Sequence, residues 1–171
     1  FVPLQSPDDS QIHLHSRFEN IESFIDELIE SFAAHADQKV QLLFKQHPMA
    51  RGGVLFGDYI RRVARTRGVA SRVHFVTEAH NPTVLDHCQG VVLINSTLGL
   101  QALARSVPVK ALGESFYDLP GLASQQCLAT FWRQPQRPGP YTRDWLSLLK
   151  CRTQIPCSVY ALSSEPWKAL G

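Results

Sequence analysis

Two hydrophobic periods alternate along this chain. From Asn20 to Ala36 the residues Ile21, Phe24, Ile25, Leu28, Ile29 and Phe32 recur at spacings of three and four, which places them on one face of an α-helix. Short apolar runs of strand type occur at Phe1–Leu4, Val40–Lys45, Arg72–Thr77, Gly90–Ile94 and Pro108–Leu112. The run Gly90-Val91-Val92-Leu93-Ile94 is continuously apolar and β-branched, as suits a strand covered on both faces. Between these runs lie helical segments. Asp58–Arg67 is closed by Gly68, Thr83–Cys88 opens with Asn81 as cap and Pro82 at the first helical position, and Leu98–Arg105 is capped by Ser96 or Thr97. The strand/helix alternation predicts an α/β fold, a Rossmann-like three-layer domain with a parallel sheet of about five strands and right-handed crossovers.

Other stretches depart from the alternation. Gln5 to Gln11 is polar and reads as a loop, and Gly52-Gly53 breaks the chain before the basic helix. Beyond Gly113 the pattern becomes helical, with helices expected over Ser124–Arg133 and Thr142–Lys150 and a proline-rich loop from Pro135 to Pro140. The second of these helices is expected to be capped by Thr142 and packed through Trp145, Leu148 and Leu149, with the remainder to Gly171 partly helical. The chain thus divides into a Rossmann-like domain over 1–132 and a C-terminal helical extension of it over 133–171.

Bulk properties narrow the function. At 171 residues and 44% hydrophobic content, the chain is sized for one domain. Its 17 Lys+Arg against 15 Asp+Glu give +2, which lacks the basic footprint of a nucleic-acid binder. Cys88, Cys127, Cys151 and Cys157 form no CxxC pair and read as reduced thiols in a cytoplasmic protein. No apolar run approaches the roughly 20 residues that span a bilayer, and no signal-peptide pattern opens the chain. It begins at Phe1 without a methionine, as a portion of a longer protein would.

The candidate chemistry lies just after two of the strands. Ligands of open parallel sheets sit beyond the carboxyl ends of the strands, so Lys45-Gln46-His47-Pro48 and Asn95-Ser96-Thr97-Leu98-Gly99-Leu100 can converge on one site. An imidazolium, hydroxyl donors and a glycine that lets the backbone approach a ligand suit an anion such as a phosphate. The alternatives are a hydroxyl that merely caps the following helix and a histidine that is structural. Glu114 and Glu78, after the fifth and third strands, would share that edge, able to accept ribose hydroxyls or to satisfy helix N-termini. His13 and His15 near Asp8 and Asp9 have no recognisable ligand spacing, so no metal is assigned and they read as loop residues. Arg61, Arg62, Arg65 and Arg67 read as a solvated helical face. No P-loop, GxGxxG or GxSxG motif is present.

Several separated motifs occur together in order: Val2-Pro3-Leu4-Gln5, Asp9-Ser10-Gln11-Ile12, His15-Ser16, Lys45 to Pro48, Asn95 to Leu100 with Ala102-Leu103, Pro108-Val109, and Leu112-Gly113 leading to Tyr117 and Pro120-Gly121-Leu122. From Phe1 to about Trp132 the chain resembles bacterial capsule polysaccharide biosynthesis/export proteins of the KpsS/LipB type. That resemblance implies the C-terminal, donor-binding half of a GT-B-like, retaining β-Kdo glycosyltransferase that uses CMP-Kdo to build the β-Kdo linker on a lipid acceptor. The histidine and hydroxyl motifs are also similar to those of bacterial sialyltransferases, where they face the donor phosphate. Carried over, His47, Ser96 and Thr97 would hold the CMP phosphate, with His47 catalytic; from their places after the strands, Lys45, Asn95, Gly99 and Glu114 are expected to bind substrate with them. Where the related KpsC-type proteins carry Glu, this chain has Gln101.

The same resemblance implies no cofactor apart from the CMP-activated sugar donor. The partners would be a missing N-terminal domain of the same protein, the lipid acceptor and capsule assembly and export proteins. The location would be cytoplasmic, at the inner face of the bacterial inner membrane, and this half alone would bind rather than catalyse. Two competing classes are a non-catalytic interaction module in capsule export and an epimerase-like GT-B enzyme favouring UDP.

Overall fold

The computed structural model describes residues 1–48 and 55–153. Five strands, β1 (Val2–Pro3), β2 (Leu42–Lys45), β3 (Val73–Val76), β4 (Val91–Leu93) and β5 (Val109–Ala111), alternate with helices α1 (Ser10–His15), α2 (Ile21–His35), α3 (Gly57–Thr66), α4 (Asn81–His87) and α5 (Leu98–Ala104). Two more helices, α6 (Leu128–Arg133) and α7 (Thr142–Thr153), follow. The expected break at Gly52-Gly53 and the segment from Gln154 to Gly171, with Cys157, lie outside the described residues.

All the strand pairs are parallel. β1 pairs with β2 in the register Val2↔Phe44 and Pro3↔Lys45, β2 pairs with β3, and β4 pairs with β5. The two groups join at β1 and β4, where the Phe1 nitrogen donates to Gly90 O at 2.8 Å and Val92 N donates to Phe1 O at 3.0 Å. The order across the fold is therefore β3-β2-β1-β4-β5, with its topological switch point between β1 and β4. Proline explains why the ladder stops there. Phe1 faces β4 while Leu4 N bonds Lys45 O on β2, so alternation turns Pro3 toward β4 and its ring removes the next donor.

Alternate strand residues feed two cores on opposite faces of the sheet. Val2, Leu42, Phe44, Val92 and Ile94 pack with α2, α3 and α6, whereas Phe1, Val91, Leu93, Val109 and Ala111 pack with Leu85 of α4, with α5 and with Tyr117. All six apolar residues assigned to the face of α2 are buried. That helix starts with a capping box in which Asn20 accepts from Ser23 N, and the Ser23 hydroxyl accepts from Asn20 N. Gly68, at φ +71°, closes α3 in a conformation that L side chains rarely adopt.

Four local expectations change. Gln5 to Gln11 is not all loop, because Asp9 accepts from Gln11 N and starts α1, which carries His13 and His15. His80 rather than Asn81 occupies the cap position of α4, and the Asn81 side chain is taken up by Lys45. α6 begins at Leu128, four residues later than Ser124, whose hydroxyl bonds Gln126 instead. Thr142 does not cap α7; its hydroxyl donates to the carbonyls of Gly139 and Gly121, and while Trp145 packs against the core, Leu148 is exposed.

Candidate functional site

His47, Ser96 and Glu114 each follow the carboxyl end of a strand, β2, β4 and β5 respectively, in one parallel sheet. β1 lies between β2 and β4, so the ends that carry His47 and Ser96 are roughly 10 Å apart at the usual strand spacing. Within that interval lies Gln5, just past β1. It is buried and heads a side-chain network over the switch point.

Lys45, the last residue of β2, is buried at 7% exposure and donates through Nζ to Asn81 Oδ1 at 2.7 Å. Burial holds its pKa below the ordinary lysine value, opposed by the charge of Glu78. That hydrogen bond runs to a neutral amide, so the positive charge is held beside the carboxyl edge. His47 is half-buried, two residues beyond β2. The neighbouring Gln46 is buried; its backbone N–H continues the sheet to Val76 O and its side chain accepts from Phe56 N.

The turn after β4 is held by side chains from elsewhere in the fold. Asn95 N donates to Gln5 Oε1 at 3.1 Å, and Gln5 Nε2 donates to Asn95 Oδ1 and to Asp9 Oδ2, each at 2.9 Å. Asn95 Nδ2 donates to Gln11 O at 2.9 Å and His15 O at 3.4 Å, both in α1. Tyr117, fully buried, donates its hydroxyl to Ser96 O. Burial pushes the Tyr117 phenol well above its ordinary pKa, so this donor stays protonated. Ser96 Oγ accepts from Leu98 N at 3.3 Å, while Thr97 is exposed and makes no capping bond. The two hydroxyls thus divide the alternatives, with Ser96 closing the turn and Thr97 turned to the surface.

The positions assigned to substrate fall into two groups. Lys45, His47, Ser96 and Thr97 lie on the carboxyl edge. Asn95 spends both ends of its amide on the protein, and Gly99 faces inward, where a Cβ would lie 2.5 Å from Cζ and Oη of Tyr117. Glycine at 99 makes room for that ring. Glu114, with an 83% exposed side chain, lies 3.3 Å from His15 Nδ1, and its backbone N–H donates to His15 O at 2.7 Å. Gly113 beside it allows α1 to approach, since a Cβ there would lie 2.9 Å from His15 O.

Gln5 and Tyr117 escaped assignment from sequence. Gln5 carried the same signal as His47, a polar residue directly after a strand, but its strand was short and held a proline. Tyr117 lies in an irregular segment where no periodicity pairs it with Gly99.

Asp9 and His15 are engaged as described, and among the described residues no three His, Cys, Asp or Glu side chains are grouped to hold a metal ion. Arg61 pairs with Asp58, Arg67 with Glu30, and the Arg62 guanidinium lies over Tyr59. Cys88, Cys127 and Cys151 are free thiols. No described helix is long and apolar enough to cross a membrane.

A family model described as capsule polysaccharide biosynthesis protein matches residues 1–160. The chain is 40% identical over 138 residues to the capsule polysaccharide modification protein LipB of Neisseria meningitidis serogroup A, covering 80% of this chain and 33% of that protein. It is 37% identical over 158 residues to the capsule polysaccharide export protein KpsS of Escherichia coli, covering 92% of this chain and 41% of that protein. Its fold matches that of Thermosulfurimonas dismutans KpsC, a beta Kdo 2,7 transferase, with a TM-score of 0.53 and 21% identity over 71% of this chain and 35% of that one. The chain spans 33% to 41% of the length of the two curated relatives.

Proposed function

The chain belongs to the capsule polysaccharide biosynthesis protein family, and from that premise we propose that it is the donor-binding half of a CMP-Kdo-dependent glycosyltransferase. The whole enzyme would have a GT-B arrangement. Its product would be the β-Kdo linker of a lipid-anchored capsular polysaccharide, made at the inner face of the bacterial inner membrane alongside capsule assembly and export proteins. A second Rossmann-like half would hold the acceptor and an acidic catalytic residue, so this half alone binds and does not turn over.

One observation carries the reading. A buried ammonium, Lys45, and two hydroxyls, Ser96 and Thr97, share the carboxyl edge of a sheet with strand order 3-2-1-4-5. In such sheets this edge takes phosphorylated ligands. The donor phosphate of CMP-Kdo would meet the positive charge of Lys45 and donors from His47, Ser96 and Thr97. As the glycosidic bond to phosphate breaks, negative charge grows on the departing CMP. A protonated His47 would offset that charge with a charge-assisted hydrogen bond, stronger in the transition state than in the ground state. The other half of the cleft supplies the remaining contacts, so nucleotide binding by this half is weak but selective.

Calorimetric titration with CMP, cytidine, UMP and UDP under one condition tests the proposal. CMP is expected to bind most tightly. Equal affinity for cytidine and CMP refutes phosphate recognition, and a preference for UDP refutes the donor class.

A further inference from the structure

The turn after β4 is fastened by groups far away in sequence. Pro3 has no N–H to give β4, and two residues further on the Gln5 side chain carries the contact between β1 and the turn after β4. Its Oε1 accepts the Asn95 N–H as a ladder carbonyl would, and its Nε2 donates to Asn95 Oδ1. The Asn95 amide then holds the carbonyls of Gln11 and His15, which ties α1 to the same turn. On the other side Tyr117 donates to Ser96 O. The backbone on both sides of the Asn95–Ser96 peptide is therefore fixed by side chains.

We infer that Gln5 and Asn95 are positioning residues, which set the Ser96–Thr97 turn at the height where its hydroxyls meet a nucleotide phosphate while touching no ligand themselves. This rests on the proposed role of the turn in holding the donor phosphate. It also reassigns Asn95, whose side-chain oxygen and amino group are both bonded within the protein. Asp9 orients Gln5, because its Oδ2 accepts one Nε2 hydrogen while its Oδ1 caps α1. The dependence is directional: a donor at position 5 needs an acceptor at 9, and an acceptor at 5 needs a donor at 9.

That polarity permits a test by reversal, made in the intact protein. Gln5→Glu places a carboxylate against Asp9 and removes the donor to Asn95, so CMP affinity is expected to fall by about tenfold or more. Asp9→Asn keeps the helix cap but turns donor toward donor, and lowers affinity on its own. Combined, the two restore a donor–acceptor pair, so Asp9→Asn is expected to raise the affinity of Gln5→Glu by about threefold or more although it lowers that of the parent. Such a reversal of sign is not produced by general loosening of the fold.

Amide hydrogen exchange over 95–98 and α1, measured without nucleotide, is expected to follow the same order: faster in Gln5→Glu, slower again in the double variant. Additive losses in both readouts, or a Gln5→Glu protein that binds CMP like its parent, would overturn the positioning role. If the parent binds no CMP but exchange shows the reversal, the clamp stands and the phosphate role of the turn is refuted.

Discussion

Replacing Gly99 by alanine adds one methyl group, and the structure specifies where it goes. The new Cβ would lie 2.5 Å from both Cζ and Oη of Tyr117 and 2.7 Å from Cε2. Carbon atoms pack at about 3.5–4.0 Å, so the ring has to retreat by about 1 Å. Tyr117 is fully buried among Leu98, Ala102, Leu103 and Val109, and its hydroxyl is committed to Ser96 O. Overpacking of this kind costs about 1–3 kcal/mol. Dragging the phenol from its acceptor adds about 1–3 kcal/mol for the buried groups left unpaired. Against this, alanine gains about 1 kcal/mol over glycine in a helix. The net expectation is a loss of about 3 kcal/mol, or a melting temperature lower by about 6–12 °C for a chain of this size. Thermal and urea unfolding followed by circular dichroism measure it. A Gly99→Ala protein as stable as its parent would refute the packing account, and if it also lost CMP affinity, close approach of a ligand to the backbone would be the better explanation of the glycine.

The other expectations concern the site and alkaline stability. His47→Ala and Ser96→Ala should each weaken CMP binding by roughly 1–3 kcal/mol, Ser96→Ala with a stability loss of about 0.5–2 kcal/mol besides because its hydroxyl accepts from Leu98 N, and in the full-length enzyme His47→Ala should lose more in turnover than in CMP affinity; unchanged affinity and unchanged transfer would leave His47 a structural residue. Burial and the 2.8 Å hydrogen bond to Asp26 push the Tyr59 phenol up to about 12. Because the unfolded chain ionises this group near its ordinary value of about 10, its contribution is complete below that pH and is lost as pH rises toward 12. Urea unfolding across this range should show a shallower decline in Tyr59→Phe than in the parent, and equal slopes would show that the hydrogen-bonded phenol does not govern it.

Legibility in the sequence followed the reach of the interactions. α2 could be read almost to the residue because its apolar spacing is a local signal, and the β/α alternation pointed to parallel pairing but not to the order of the strands, which long-range contacts decide. The sheet edge was accessible for the same reason, since polar residues directly after strands have few other places to lie. Asn95 and Gly99 show the limit. Both look like ligand contacts within their own hexapeptide, but what occupies them comes from Gln5, 90 residues away, and from Tyr117 in an irregular segment. α1 was hidden by its polarity. Only Ile12 of its residues is buried, so it has no apolar stripe, and it is held in place largely by hydrogen bonds to its carbonyls. Side-chain-to-backbone bonds across such separations leave no periodic trace.

The central position of β1 has a consequence for how this domain is made. β1 is synthesised before β2 to β5, yet it needs β2, whose partner residues begin at Phe44, and β4, where the Phe1 carbonyl waits for Val92. At a synthesis rate of about 5–20 residues per second, roughly 90 residues take on the order of 5–20 s to follow. During that time the nascent chain can complete α2 and the β1-β2-β3 group, which share one core, while the β4-facing side of β1 remains an open strand edge. Pro3, which has no N–H to offer on the β4-facing side, makes that edge a poor template for a neighbouring chain, so the interruption that ends the finished ladder also guards the unfinished one.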